Sequence, residues 1–165
     1  MTATHTTGMD ATGAPAPVAT ATRSTIGCLI PARSESATIS LAIESILGQS
    51  RLPDVIHVIV NNSDDDTAAF AAEFAGPHIR VIDGVEQFTS LYVHNVGTPG
   101  VAGTRSGALD YGFTLIEGYD YFFVLDGDTV AGPDEVAQLE NAIVAGAVPD
   151  GVRTHRGLAS RAQRD

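Results

Sequence analysis

Apolar positions along the chain fall into short unbroken runs that alternate with longer stretches at helical spacing. Ile26-Gly-Cys-Leu-Ile30, closed by Pro31, predicts a buried strand. Val55-Ile-His-Val-Ile-Val60 is almost continuous and β-branched, as a parallel strand covered on both faces requires. Ile79-Arg-Val-Ile82 predicts a third, short strand, and Tyr121-Phe-Phe-Val-Leu125 a fourth. Between these runs, Ile39, Ile43, Ile46 and Leu47 recur at helical spacing with Ala42 beside them, and Gly48 stops the helix. Phe70 and Phe74 share one face of a second helix ending at Gly76-Pro77. Leu109, Phe113 and Ile116 mark a third, and Pro133 opens a fourth through Val136, Leu139, Ala142 and Ile143. Ser34 to Ser36 offer caps to the first helix, and Ser63 with Asp66 predicts a capping pair for the second. Alternation of strand and helix predicts an α/β fold with a mostly parallel sheet.

Both ends of the chain break this pattern. Residues 1–25 hold fourteen Thr or Ala with no apolar period, which predicts a disordered leader. Residues 26–145 carry the periodic segments and form the predicted domain. Residues 146–165 read as an irregular tail; four of the nine Arg (153, 156, 161 and 164) lie in it.

Charge and composition narrow the chemistry. The formal net charge is −11, and an acidic surface argues against a general nucleic-acid binder or docking on anionic membranes. All nine basic residues are Arg, so Schiff-base and P-loop chemistry, which need a Lys, are excluded. A single Cys excludes a disulfide framework, and Cys28 reads as a small buried apolar residue. No apolar stretch nears the ~20 residues of a membrane span, and no signal-peptide pattern opens the chain, so the cytoplasm is the expected compartment.

Ligands of open α/β sheets bind beyond the carboxyl ends of the strands. Three polar clusters fall there: Pro31 to Glu35, Asn61 to Asp66, and Asp126-Gly-Asp128. Asp126 and Asp128 offer hard oxygens to Mn²⁺ or Mg²⁺, and Gly127 lets a ligand approach; the alternative is a polar turn. Asp64 to Asp66 read as helix-start acids favoured by the dipole ahead of a second metal site. Asn61 and Asn62 suit either a base edge or a left-handed turn. Arg105 lies in a loop over residues 95–107 with Gly97, Gly100, Gly103 and Gly107, where it can pair with phosphate or face solvent. Arg33 meets ligand or solvent, and Glu35 reaches a ribose hydroxyl or serves as a helix-start acid. His57, inside the second strand, reads as a satisfied core or partly exposed histidine ahead of a ligand. No Gly-x-Ser-x-Gly elbow, P-loop or Gly-x-Gly-x-x-Gly follows a strand, so hydrolase, ATPase and nicotinamide readings lack support.

Five segments then occur in a telling order across residues 26–143. They are Ile30-Pro-Ala-Arg-Ser-Glu35, Ser45-Ile-Leu-Gly-Gln49, Val58-Ile-Val-Asn-Asn-Ser-Asp-Asp-Asp-Thr67, Gly103-Thr-Arg-Ser-Gly107 and Asp120-Tyr-Phe-Phe-Val-Leu-Asp-Gly-Asp128, with Pro133-Asp134 after them. Together they resemble the nucleotide-binding half of a family 2 glycosyltransferase with the Rossmann-like GT-A fold. The resemblance implies transfer of a sugar from a nucleotide-diphosphate donor, such as a UDP- or GDP-sugar, to an acceptor. It implies that Asp128 binds Mn²⁺ or Mg²⁺ and that Asp126 reaches the ribose or the metal shell. Pro31, Ala32, Arg33 and Glu35 would wall the nucleotide pocket, Asn61 would face the base, and Arg105 would stand near the donor.

Three positions depart from the family pattern: Arg33-Ser34 for Tyr-Asn, Val60-Asn61 for Asp-Asp, and Arg105-Ser106 for Arg-Asn. The family carries its acceptor side and general base after the metal motif, and here 37 residues follow Asp128. The resemblance therefore implies a truncated donor half with no catalytic residue of its own, or a remnant that binds without transfer. An uncovered sheet edge would then invite self-association. A nucleotidyltransferase, whose first loop can begin Pro-Ala-Arg, relies on a Lys that this chain lacks.

Overall fold

The computed structural model describes residues 23–97 and 99–146. Most of the expected leader and nearly all of the Arg-rich tail lie outside the described residues. The elements are β1 (Ile26–Ala32), α1 (Ile39–Leu47), β2 (Val55–Asn61), α2 (Thr67–Ala72), β3 (Gly76–Ile82), β4 (Val85–Val96), α3 (Arg105–Leu115), β5 (Tyr121–Val124) and α4 (Glu135–Val144). The five strands form one sheet in the order β3-β4-β2-β1-β5. β1 pairs in parallel with β2 and β5, and β2 in parallel with β4; only β3–β4 is antiparallel. The mostly parallel α/β sheet expected from the sequence is the one observed.

The unbroken apolar runs become the two central strands, β1 and β2, in which every residue is buried. Alternate side chains divide between two cores, as the two-residue strand period dictates. Cys28, Ile30, Val58 and Val60 pack with Ile39, Ile43 and Ile46 of α1 on one face. Leu29, Val55 and Ile59 pack with Ala108 and Ile116 on the other. α3 lies close because Gly112 has no side chain; a Cβ there would meet Leu29 and Ile59 at 3.1 and 3.2 Å.

β4 has no counterpart among the elements expected from the sequence. Thr89 and Leu91 are buried on one face while Phe88 and Tyr92, on the other, are exposed. Apolar and polar residues therefore mix on both faces and blur the alternation. α2 also ends earlier than expected, at Ala72, and Gly76-Pro77 opens β3. Gly76 takes φ +120°, and an edge strand tolerates the missing donor of Pro77.

Neither expected cap forms. Thr38 precedes α1 and Asp66 precedes α2, both without a side-chain cap. Ser63 Oγ instead accepts from the Ser34 amide at 2.8 Å. Asp65 accepts from the Thr67 amide at 3.1 Å and the Ser36 amide at 3.2 Å. Competition from tertiary partners thus turns the capping residues into ties between the loops after β1 and β2.

Two buried polar side chains hold α4 in place. Gln49 accepts from the Val136 amide at 3.1 Å and donates to the Gly132 carbonyl at 2.5 Å. Arg51 donates through Nε to Glu140 at 3.0 Å and through Nη2 to the Ser24 carbonyl at 2.7 Å. Together they fix the segment that follows Asp128. Among the described residues, no helix is long and apolar enough to cross a membrane.

Candidate functional site

Pairing continues past the regular end of β5: the Leu125 amide donates to the Leu29 carbonyl at 3.0 Å and the Gly127 amide to the Pro31 carbonyl at 3.2 Å. Asp126 and Asp128 therefore flank a glycine seated against the end of β1. A Cβ on Gly127 would run into Glu35 Oε2 and stand 3.1 Å from Ala32 Cβ, so a side chain here would have to displace Glu35 from the cleft. Thr38 Oγ1 donates to the Gly127 carbonyl at 3.1 Å and ties the turn to the start of α1.

The ends of β1, β2 and β5 and the start of α3 enclose a cleft of about 350 Å³. It is lined by Pro31, Ala32, Arg33, Glu35, Asn61, Gly103, Thr104, Arg105, Ala108, Asp126 and Asp128. All eight residues singled out from the sequence meet in it. Gly103, Thr104 and Ala108 were not among them. Thr104 was legible as an N-cap before a helical run, and its hydroxyl accepts from the Gly107 amide at 3.0 Å. Asp64, Asp65 and Asp66 are exposed and line no part of the cleft. The Thr67 hydroxyl, foremost, holds Asp65 down to about 2.

The cleft is dominated by carboxylates. Burial first, and then the charges of Asp128, Asp126 and Asp65, together push Glu35 up to about 7. Glu35 Oε2 is buried and accepts no hydrogen bond. Asp126 is paired: Arg105 Nε lies 2.6 Å from its Oδ1. Among the described residues no three His, Cys, Asp or Glu are arranged to hold a metal by themselves.

Two residues expected to face a nucleotide engage the protein itself. Asn61 Nδ2 donates to the Ala102 carbonyl at 2.6 Å and the Thr104 carbonyl at 3.1 Å, while its Oδ1 accepts from Asn62 at 2.5 Å. Arg33 Nη1 donates to the Gly103 carbonyl at 2.7 Å. Three successive carbonyls of the Gly-rich segment are thus held by side chains from the ends of β1 and β2. Asn62 adopts φ +54°, the left-handed turn open to this residue type.

Away from the cleft, β2 and β4 bring His57 and His94 together, with Nδ1 and Nε2 2.9 Å apart. One ring donates and the other accepts, and Tyr92 stacks on His57 at a centroid distance of 5.3 Å. His57 is buried and hydrogen-bonded, as a satisfied core histidine should be. Burial, and then the neighbouring His94, push His57 down to about 4. Burial also lowers His94. Between the ordinary histidine value of about 6.5 and the folded value, the unfolded chain binds the proton more readily. Stability is therefore expected to fall as pH drops through this window. Thermal midpoints of the wild type and His57→Gln across it test this. A decline of the same size in both proteins would refute the assignment to His57.

The sequence profile described as glycosyltransferase like family 2 matches residues 23–153. Among solved structures, S. aureus TarS matches with a TM-score of 0.55 at 14% identity, over 73% of this chain and 20% of that one. This chain thus spans about a fifth of the length of TarS, and the likeness is one of fold. Curated protein sequences give no match.

Proposed function

Because this chain belongs to glycosyltransferase-like family 2, we propose that residues 26–145 bind a nucleotide-diphosphate sugar together with Mn²⁺ or Mg²⁺, for glycosyl transfer to an acceptor. The carrying observation is the convergence of three strand ends, with Arg33, Glu35, Asn61, Arg105, Asp126 and Asp128, in one cleft of about 350 Å³, within the size range of small-molecule sites.

The donor set suits a hard divalent cation. Asp126 and Asp128 would hold it, and Glu35, whose buried Oε2 accepts no hydrogen bond from the protein, adds a further hard oxygen in the same cleft. With too few protein ligands to complete a shell, phosphate oxygens and water would supply the rest, as Mg²⁺ sites commonly arrange. When bound, the cation offsets the charge of the diphosphate and of the departing nucleotide. Arg105 and Arg33 line the cleft and would offer guanidinium groups to a diphosphate, which such groups bind with directional hydrogen bonds. Pro31, Ala32 and Ala108 provide apolar wall, and Asn61 holds the Gly-rich segment that closes the opposite side. Glu35 lies within the cleft to meet a ribose hydroxyl. Removing the acceptor's proton needs a general base. The cleft carboxylates have other roles in this reading, and no residue is assigned that step. Among the described residues β3 and β5 are the outer strands of the sheet, and self-association would use their outer edges.

Isothermal calorimetry with UDP, GDP and their sugars, with and without Mn²⁺, tests the reading. Binding that requires Mn²⁺ is expected. Folded protein that binds none of these in the presence of Mn²⁺ would refute it.

A further inference from the structure

We propose that Arg105 is a built-in counter-ion for Asp126 that an incoming divalent cation must displace, so that cation and nucleotide diphosphate bind cooperatively. This rests on the donor-binding reading above.

Arg105 is the first residue of α3, and the first turn of that helix contains no acid. A cation at this end opposes the helix dipole, so the helix itself gives no reason for an arginine here. The compensating charge comes from another element. Asp126, just beyond β5, meets Arg105 Nε at 2.6 Å. The two side chains are 57% and 44% exposed, so the pair is solvent-screened, weak and open to exchange.

The consequence follows from what each group can do next. A divalent cation that takes Asp126 must replace the guanidinium or sit beside it, and two like charges at that range repel. Freed from Asp126, Arg105 has a planar fork of donors that has lost its carboxylate partner. A diphosphate restores that partner and removes the repulsion. Nucleotide should therefore raise cation affinity, and by linkage the cation should raise nucleotide affinity by the same factor. Arg33 does not share this role. Its Nη1 donates to the Gly103 carbonyl, and no carboxylate of the cleft depends on it. From the sequence, Arg105 reads as a phosphate contact or a solvent-facing arginine; the structure adds the bond to Asp126 that has to open first.

The test is calorimetric titration of Mn²⁺, alone and at saturating UDP, into the wild type, Arg105→Ala and Arg105→Lys. Arg105→Ala is expected to bind Mn²⁺ alone about two- to fivefold more tightly, the range set by a solvent-exposed ion pair. UDP should then enhance Mn²⁺ affinity less in this variant than in the wild type. Arg105→Lys keeps the charge and should bind Mn²⁺ alone much as the wild type does. Mn²⁺ affinity that is unchanged or weaker in Arg105→Ala overturns the counter-ion role, even where UDP binds as the donor reading requires. An undiminished UDP enhancement in that variant does the same. Failure of UDP to bind the wild type overturns the donor reading and, with it, the cooperativity. Absence of Mn²⁺ binding in all three proteins overturns both.

Discussion

Asp128→Ala is expected to abolish Mn²⁺-dependent UDP binding while leaving the fold intact or slightly more stable. Asp128 is an exposed cleft residue with no packing role, so its removal opens no cavity. It is also the foremost of the charges that, after burial, push Glu35 up to about 7. Its loss should relieve that repulsion and bring Glu35 back toward the ordinary carboxylate range. Even partners behind the ligands of a metal site cost about 10- to 100-fold in affinity when removed, so loss of a ligand should exceed that. Asp65→Ala is the informative contrast. Asp65 ties Thr67 and Ser36 together, so this variant should lower the thermal midpoint yet retain most metal-dependent binding. Calorimetry and thermal melts on both variants separate the two roles. Equal loss of binding in the two would reverse the ranking of the acidic clusters.

Gly107→Ala should reduce both stability and donor binding, against the usual trend for glycine within a helix. Exchanging Gly for Ala in a helix ordinarily gains about 0.8–1 kcal/mol. Here a Cβ would collide with the Ala102 carbonyl oxygen and lie 3.0 Å from the carbonyl carbon and Cβ of that residue. The obstruction is mostly backbone, which cannot rotate aside as a flexible side chain can. Overpacking typically costs about 1–3 kcal/mol, which exceeds the helical gain. The strain also falls on a segment that Asn61 holds through the Ala102 and Thr104 carbonyls and that carries Arg105. Urea denaturation should show a lower midpoint, and UDP binding in the presence of Mn²⁺ should weaken. A midpoint at or above that of the wild type would show that the loop shifts freely, and that Gly107 is not required for its position.

Much of the fold was legible because its central elements are chemically simple. β1 and β2 are buried on both faces and read as unbroken apolar runs, and α1 shows its buried stripe at Ile39, Ala42, Ile43 and Ile46. β4 was not legible. It is covered on one face only in part, and Phe88 and Tyr92 stand exposed on the other. The candidate site was legible as a list of residues, since strand ends in an open α/β sheet point to one place. Which donor meets which acceptor was not. Asn61, Arg33 and Arg105 carry donors suited to a nucleotide, but their partners in the structure are the Ala102, Thr104 and Gly103 carbonyls and Asp126.

The division has a physical cause. Hydrophobic periodicity and the order of polar clusters are local properties of the chain, and burial of apolar surface is non-directional. By themselves they determined the α/β class, the central strands, the family resemblance and the eight residues that meet in the cleft. Hydrogen bonds and ion pairs are directional and short-ranged, and here they join residues far apart in sequence. Only the tertiary structure decided that Arg105 pairs with Asp126, that Glu35 is left with an unpartnered buried oxygen, and that Asp65 ties loops together outside the cleft.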